Sequence, residues 1–174
     1  STLLNTALRE RLAIVTPTPQ TTRDRILGVL RHGDAQIALL DTPGLHRPRS
    51  RLGRRMNTMA RDAAREADVL VFVTAIPKNV SSDLAPAGRD VEILQQVDPE
   101  SRAILVINKI DLLGKNRSLL LPLIEQFSKL RSFSAIVPIS ALRDDGVNLL
   151  LDEIASLLPE RGPAYEEDFL TDRP

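Results

Sequence analysis

The run AILVIN at 103–108 is apolar for five consecutive residues and stops at an asparagine. A strand so composed has no polar face to give to water, so its sheet must be covered on both sides. Three more short runs rich in β-branched residues accompany it: QIALL at 36–40, VLVFV at 69–73 and AIVPIS at 135–140. Segments with helical content separate the last three. That spacing predicts an α/β chain with a largely parallel sheet and helices on both faces. The stretch RILGVLRHGDAQIALLD at 25–41 reads instead as two strands joined by a turn at His32-Gly33-Asp34.

The helical stripes follow a period near 3.6. Met56, Ala60, Ala63 and Ala67 share one face of 54–68, and Val147, Leu150, Leu151, Ile154, Leu157 and Leu158 share one face of a helix beginning at 147. A further helix is expected over 118–130 with Leu120, Leu123, Ile124, Phe127 and Leu130 inward; Pro122 fits it only in the first turn. The opening STLLNTAL carries a stripe of Leu3, Leu4, Ala7 and Leu8. In a doubly wound sheet a central strand feeds such a helix, and without one the helix is expected to be poorly anchored.

Composition narrows the functions. Of 174 residues, Lys plus Arg and Asp plus Glu number 23 each, so no electrostatic bias toward nucleic acid is present. The chain has no cysteine, which excludes disulfides, thiolate chemistry and cysteine-bound zinc. Runs such as VLVFVTAI at 69–76 are too short to span a bilayer, and no stretch resembles a signal peptide. The tail PERGPAYEEDFLTDRP at 159–174 reads as a surface linker.

Three strand ends carry chemistry. LLDTPG at 39–44 puts Asp41 where open α/β sheets bind ligands, followed by Thr42, Pro43 and Gly44. Asp41 there is either a turn-capping residue or a holder of hydrated Mg²⁺, and Gly44 lets a backbone N–H approach a phosphate oxygen. VINKID at 106–111 places Asn108, Lys109 and Asp111 after an apolar strand. A carboxylate at Asp111 can accept from two adjacent donors, as on the N1–H and N2–H₂ edge of guanine; adenine offers no such pair. Asn108 is expected to bridge loops and touch the base, with the Lys109 methylenes over its ring. PISAL at 138–142 supplies an Ala141 N–H for the guanine carbonyl, with Ser140 ordering the loop. TPTPQTTRDR at 16–25 is either a bland loop or a segment ordered when a γ-phosphate is present. His32 and His46 have no ligand-spaced partners and read as surface or loop residues, His46 close to the phosphate end.

Together, Asp41-Thr42-Pro43-Gly44, Asn108-Lys109-Ile110-Asp111 and Ser140-Ala141-Leu142 resemble the ordered motifs of translation-factor-type GTPases. QTTRDR at 20–25, DTPGLH at 41–46 and AYEEDFLTDRP at 164–174 narrow the resemblance to the Era-like family of bacterial GTPases. The resemblance implies a three-layer P-loop NTPase fold and hydrolysis of GTP to GDP and phosphate with Mg²⁺. In that family STLLN follows directly on a glycine-rich phosphate loop. Ser1 thus matches the serine that ligates Mg²⁺, and Thr2 lies near the α-phosphate. Thr22, of the pair Thr21-Thr22, is the expected second ligand, and Asp41 acts on the metal through water. Gly44 senses the γ-phosphate. Leu45 stands where Ras-like enzymes carry a water-orienting glutamine, so slow intrinsic hydrolysis is implied.

The same resemblance divides the chain into a GTP-binding domain over 1–160 and a linker over 161–174. Its implied continuation is a KH domain recognising 16S rRNA, with a role in 30S ribosomal subunit assembly. A first strand and phosphate loop upstream of Ser1 are expected in the natural protein, and without them the segment 1–174 is expected to hold phosphates poorly. A monomer in the cytoplasm is implied, with peripheral association at the cell membrane in some bacteria. Two readings remain beside it: a related Der-like or tRNA-modification GTPase, and a nucleotide-free interaction module.

Overall fold

The computed structural model describes residues 3, 6–7, 28–40, 65–80, 82 and 84–162. Two strands, β1 (Gly28–His32) and β2 (Ala35–Leu39), form an antiparallel hairpin in which Leu30 faces Ile37 and His32 faces Ala35. The turn is therefore Gly33-Asp34 alone, one residue shorter than expected, and Gly33 takes the φ of +56° that a tight two-residue connection requires. Next come β3 (Leu70–Ala75), α1 (Gly88–Leu94), β4 (Ala103–Asn108), α2 (Leu120–Leu130), β5 (Ala135–Pro138) and α3 (Val147–Leu157). Strands β3, β4 and β5 pair in that order and all in parallel. No ladder joins the two sheets among the described residues.

The AILVIN strand lies at the centre of the parallel sheet, as its composition demands. Its residues 103–107 are all buried, and they alternate between two cores. Ile104 and Val106 join a cluster with the hairpin's Leu30 and Ile37 and with Val147, Leu150, Leu151 and Ile154 of α3. Leu105 and Ile107 join a second cluster with Phe72, Leu94 of α1 and Leu123 and Phe127 of α2. Both faces are thus covered by apolar side chains, each fully buried one contributing roughly 1.5–3 kcal/mol. In α2, Leu120 and Ile124 pack partly against that second core, but Leu130 is exposed, against expectation. The chain leaves helical geometry at Arg131 (φ −162°), so the last turn's inward stripe ends one position early. Pro122 sits in the first turn of α2, preceded by a 3₁₀ turn over Arg117–Leu119.

Strand β5 and His32 depart from the sequence reading, and helix α1 is held by one particular contact. Helix α1 carries no side-chain cap at Ala87; it is held by Leu94 in the core and by Thr74 Oγ1, which donates to Asp90 Oδ2 at 2.5 Å. Strand β5 ends at Pro138 rather than Ser140, because Ser140 turns away to exchange backbone hydrogen bonds with Asp145. His32 is the last residue of β1, with its Nε2 2.5 Å from Asp152 Oδ1 on α3, so it ties the hairpin to that helix.

Leu3, Thr6 and Ala7 are helical. Ala7 is buried and Leu3 packs beside it on the α3 cluster, so this part of the helix is anchored where poor anchoring was expected. At the opposite edge of the sheet, the buried Arg131 donates through Nη2 to Ser101 O at 2.5 Å and to Ser101 Oγ at 2.9 Å. Burial lowers its pKa from the ordinary arginine value, while nearby Asp98 raises it. The stripe residues Met56, Ala60 and Ala63 and the tail 163–174 lie outside the described residues.

Candidate functional site

The carboxyl ends of β4 and β5 converge, and their side chains lock two loops together. After Ile107 the chain leaves the sheet through Asn108. Asn108 Oδ1 accepts the N–H of Lys109 at 2.7 Å and the N–H of Ala141 at 3.1 Å. Both partners are backbone donors, so the atom facing them is the oxygen. The amide Nδ2 of Asn108 then keeps its two hydrogens for another acceptor. The Ala141 N–H, expected to face a base carbonyl, is given to Asn108 here. Two acceptors on a neighbouring purine edge are therefore matched first by Nδ2.

A second bond crosses the same gap. Ser140 Oγ donates to Asp111 Oδ1 at 2.6 Å, and Ser140 is buried. An ionised carboxylate has about four lone-pair positions, so Asp111 retains capacity for two further donors. The backbone repeats the connection: Ile139 N–H reaches Ile107 O at 2.9 Å, and Ile110 N–H reaches Ile139 O at 3.1 Å. The loop after β5 closes on itself through Ser140 and Asp145 and enters α3 at Gly146, whose φ is +78°. Asn108, Asp111, Ser140 and Ala141 are thus brought together. Lys109 is exposed beside them, and Leu142, 80% exposed, makes no core contact.

Lys109 holds a left-handed backbone, φ 64° and ψ 34°. That conformation costs a residue with a side chain roughly 1–2 kcal/mol more than glycine, and such strain gathers at functional turns. Replacing Lys109 with glycine is expected to raise Tm by up to about 4 °C, after allowance for glycine's extra unfolded-state entropy. The same Lys109→Gly variant is expected to bind a purine nucleotide more weakly if, as the sequence leads one to expect, the Lys109 methylenes cover the ring. Thermal melts beside a nucleotide titration check both halves; a fall in Tm would show that Lys109 makes a stabilising contact instead.

Ser1, Thr2, Thr22, Asp41, Thr42, Pro43, Gly44, Leu45 and His46 lie outside the described residues. Among the described residues no group of three His, Asp or Glu side chains is placed to hold a metal ion. Two residues that sequence reasoning missed bear on the site. Thr6 Oγ1 donates to Ala141 O at 2.8 Å, a contact across 135 residues that no local pattern announces. Gly146 had a visible signal, the Asp144-Asp145-Gly146 turn before an amphipathic run.

A family model described as a 50S ribosome-binding GTPase matches residues 1–109. The GTPase Era of Ruminiclostridium cellulolyticum is 41% identical over 175 residues, which cover 100% of this chain and 56% of the relative. Among solved structures, Era in complex with MgGDPNP and nucleotides 1506-1542 of 16S ribosomal RNA aligns with a TM-score of 0.77 at 39% identity, covering 100% of this chain and 57% of that one. An Aquifex aeolicus Era variant bound to GDP·AlF4− aligns equally well, with the same TM-score of 0.77, identity of 39% and coverage of 100% and 57%. The chain spans about 56% of the length of such curated relatives. Its parallel sheet with helices against both faces is the fold of these GTPases. The chain belongs to the 50S ribosome-binding GTPase family and is Era-like within it.

Proposed function

We propose that residues 1–160 form the guanine-nucleotide domain of a switch protein that hydrolyses GTP to GDP and phosphate. The observation that carries this reading is the double lock at the ends of β4 and β5. Asn108 to Ala141 and Ser140 to Asp111 hold an amide donor and a carboxylate acceptor side by side. Guanine presents acceptors at O6 and N7 and donors at N1 and N2, so one purine edge meets each group. Adenine carries a donor where Asn108 offers one and an acceptor where Asp111 does, which leaves buried polar groups opposed. Similar solved structures are described with MgGDPNP and with GDP·AlF4−, which supports the same ligand class here.

Phosphate-side roles follow from the resemblance. Ser1, Thr22 and Asp41 are the residues that would hold Mg²⁺, which supplies neutralisation of phosphate charge; Thr2 lies near the α-phosphate. Thr42, Pro43 and Gly44 bring a backbone N–H toward the γ-phosphate. Leu45 cannot polarise water, so hydrolysis relies on a water held by other groups and should be slow. In the full-length protein, amide exchange across 16–25 is expected to slow with Mg²⁺ and a non-hydrolysable GTP analogue, but not with GDP. Thr22→Ala should abolish that difference while leaving GDP affinity within about twofold, since the hydroxyl is wanted only in the triphosphate state. Equal protection with both nucleotides would make 16–25 a static loop.

The partner reading rests on likeness to Era bound to a segment of 16S rRNA. Balanced charge in this chain supplies no net attraction to RNA, which supports assigning RNA recognition to a KH domain that the 161–174 linker would join. The product is a nucleotide-controlled factor for 30S subunit assembly, acting as a monomer. No helix among the described residues is long and apolar enough to cross a membrane. Crosslinking of the full-length protein to 16S rRNA with GDP and with a GTP analogue tests this part: yields that do not depend on the nucleotide would contradict a switch.

A further inference from the structure

Thr6 reaches out of its own helix. Its Oγ1 donates to the main-chain carbonyl of Ala141 at 2.8 Å, whereas a helical threonine commonly returns its hydroxyl to a carbonyl one turn back. Ala141 is 2% exposed, so that carbonyl has no water to replace the bond. The other end of the same residue is also held, because the Ala141 N–H donates to Asn108 Oδ1 at 3.1 Å. Fixing both ends of one residue fixes the orientation of the peptide units on either side of it. It also fixes the plane of the Asn108 amide, and hence the direction of Nδ2.

The geometry points to Thr6 as a positioning residue for base recognition, acting through Ala141 on the Asn108 amide. The inference rests on the guanine-pocket reading above and adds the residue that sets the pocket's O6 and N7 side. Ser140 and Asp111 form the other side of the pocket, joined by a hydrogen bond of their own. Loss of Thr6 should accordingly be felt at one edge of the base and not at the other.

The test compares Thr6→Val, equal in shape but without a donor, with Thr6→Ser, which keeps the hydroxyl, in the full-length protein. GDP affinity is expected to fall about 3- to 10-fold in Thr6→Val, as for one lost hydrogen bond, and to stay within about twofold in Thr6→Ser. The 2-aminopurine riboside diphosphate keeps N7 but has no 6-oxo group, so its weaker affinity should fall in Thr6→Val by a smaller factor than that of GDP. A proportional loss for both nucleotides, or no rescue by serine, would reduce Thr6 to a structural role and overturn the proposal. Should Thr6→Val melt below the titration temperature, Thr6→Ala carries the same comparison. Asp111→Asn is titrated in parallel. If GDP affinity survives both Asp111→Asn and Thr6→Val, the pocket reading itself fails; if it falls only in Asp111→Asn, the Thr6 assignment alone is overturned.

Discussion

Asp111→Asn should lower GTP affinity by roughly 10²- to 10⁴-fold and turn preference toward xanthosine triphosphate, the sum of two hydrogen bonds to a charged acceptor. Ser140 Oγ already donates to Asp111 Oδ1 at 2.6 Å, and an asparagine oxygen can take over that bond. The amide NH₂ would then face the base. Guanine presents donors at N1 and N2 there, so two sets of donors would oppose each other. Xanthine has a carbonyl in place of the 2-amino group and accepts from the amide. The fold should be spared, since the loop bond survives the exchange. Competition of GTP, XTP and ATP against a fluorescent guanine nucleotide reads the change. An unaltered preference for GTP would remove Asp111 from the base pocket.

The largest effect on stability is expected at Gly146. Its φ is +78°, and a β-carbon placed there would lie 2.7 Å from Pro138 O and 3.1 Å from Ile139 Cγ2. Pro138 belongs to β5 and its carbonyl cannot swing aside without disturbing the sheet. Gly146→Ala therefore combines left-handed strain of about 1–2 kcal/mol with a backbone clash, roughly 2–4 kcal/mol in all. For a domain of this size that is a fall in Tm of about 5–15 °C. The loop from Ile139 to Gly146 carries Ser140 and Ala141, so nucleotide affinity should fall with stability. A melt within about 2 °C of the parent would mean that the turn relaxes freely and does not set the site.

How much of this could be read from the sequence differs from element to element. The centre of the sheet was legible because AILVIN admits one environment, burial on both faces. The meeting of Asn108, Asp111, Ser140 and Ala141 was legible because polar side chains directly after such strands gather at one edge of the sheet. Helix α1 was legible only as helical content between β3 and β4: seven residues without a capping side chain leave its bounds unmarked, and Thr74 to Asp90 is a tertiary contact. The early end of β5 was also hidden, since it depends on Ser140 pairing with Asp145 after the strand. Ser140 was read as ordering its loop, but its partner lies 29 residues upstream. Thr6 is the extreme case. Its sequence neighbours mark it only as a helix residue, and its partner is brought to it by the whole fold.

The central claim is that the paired ends of β4 and β5 read guanine. Calorimetric titration of the full-length protein with GDP and with ADP, both in Mg²⁺, tests it most directly, because the two ligands differ only in the base. The account predicts one GDP site per chain and ADP affinity weaker by at least about 10³-fold, the penalty for leaving the Asn108 amide and the Asp111 carboxylate opposed rather than paired. Comparable affinity for the two nucleotides would contradict it.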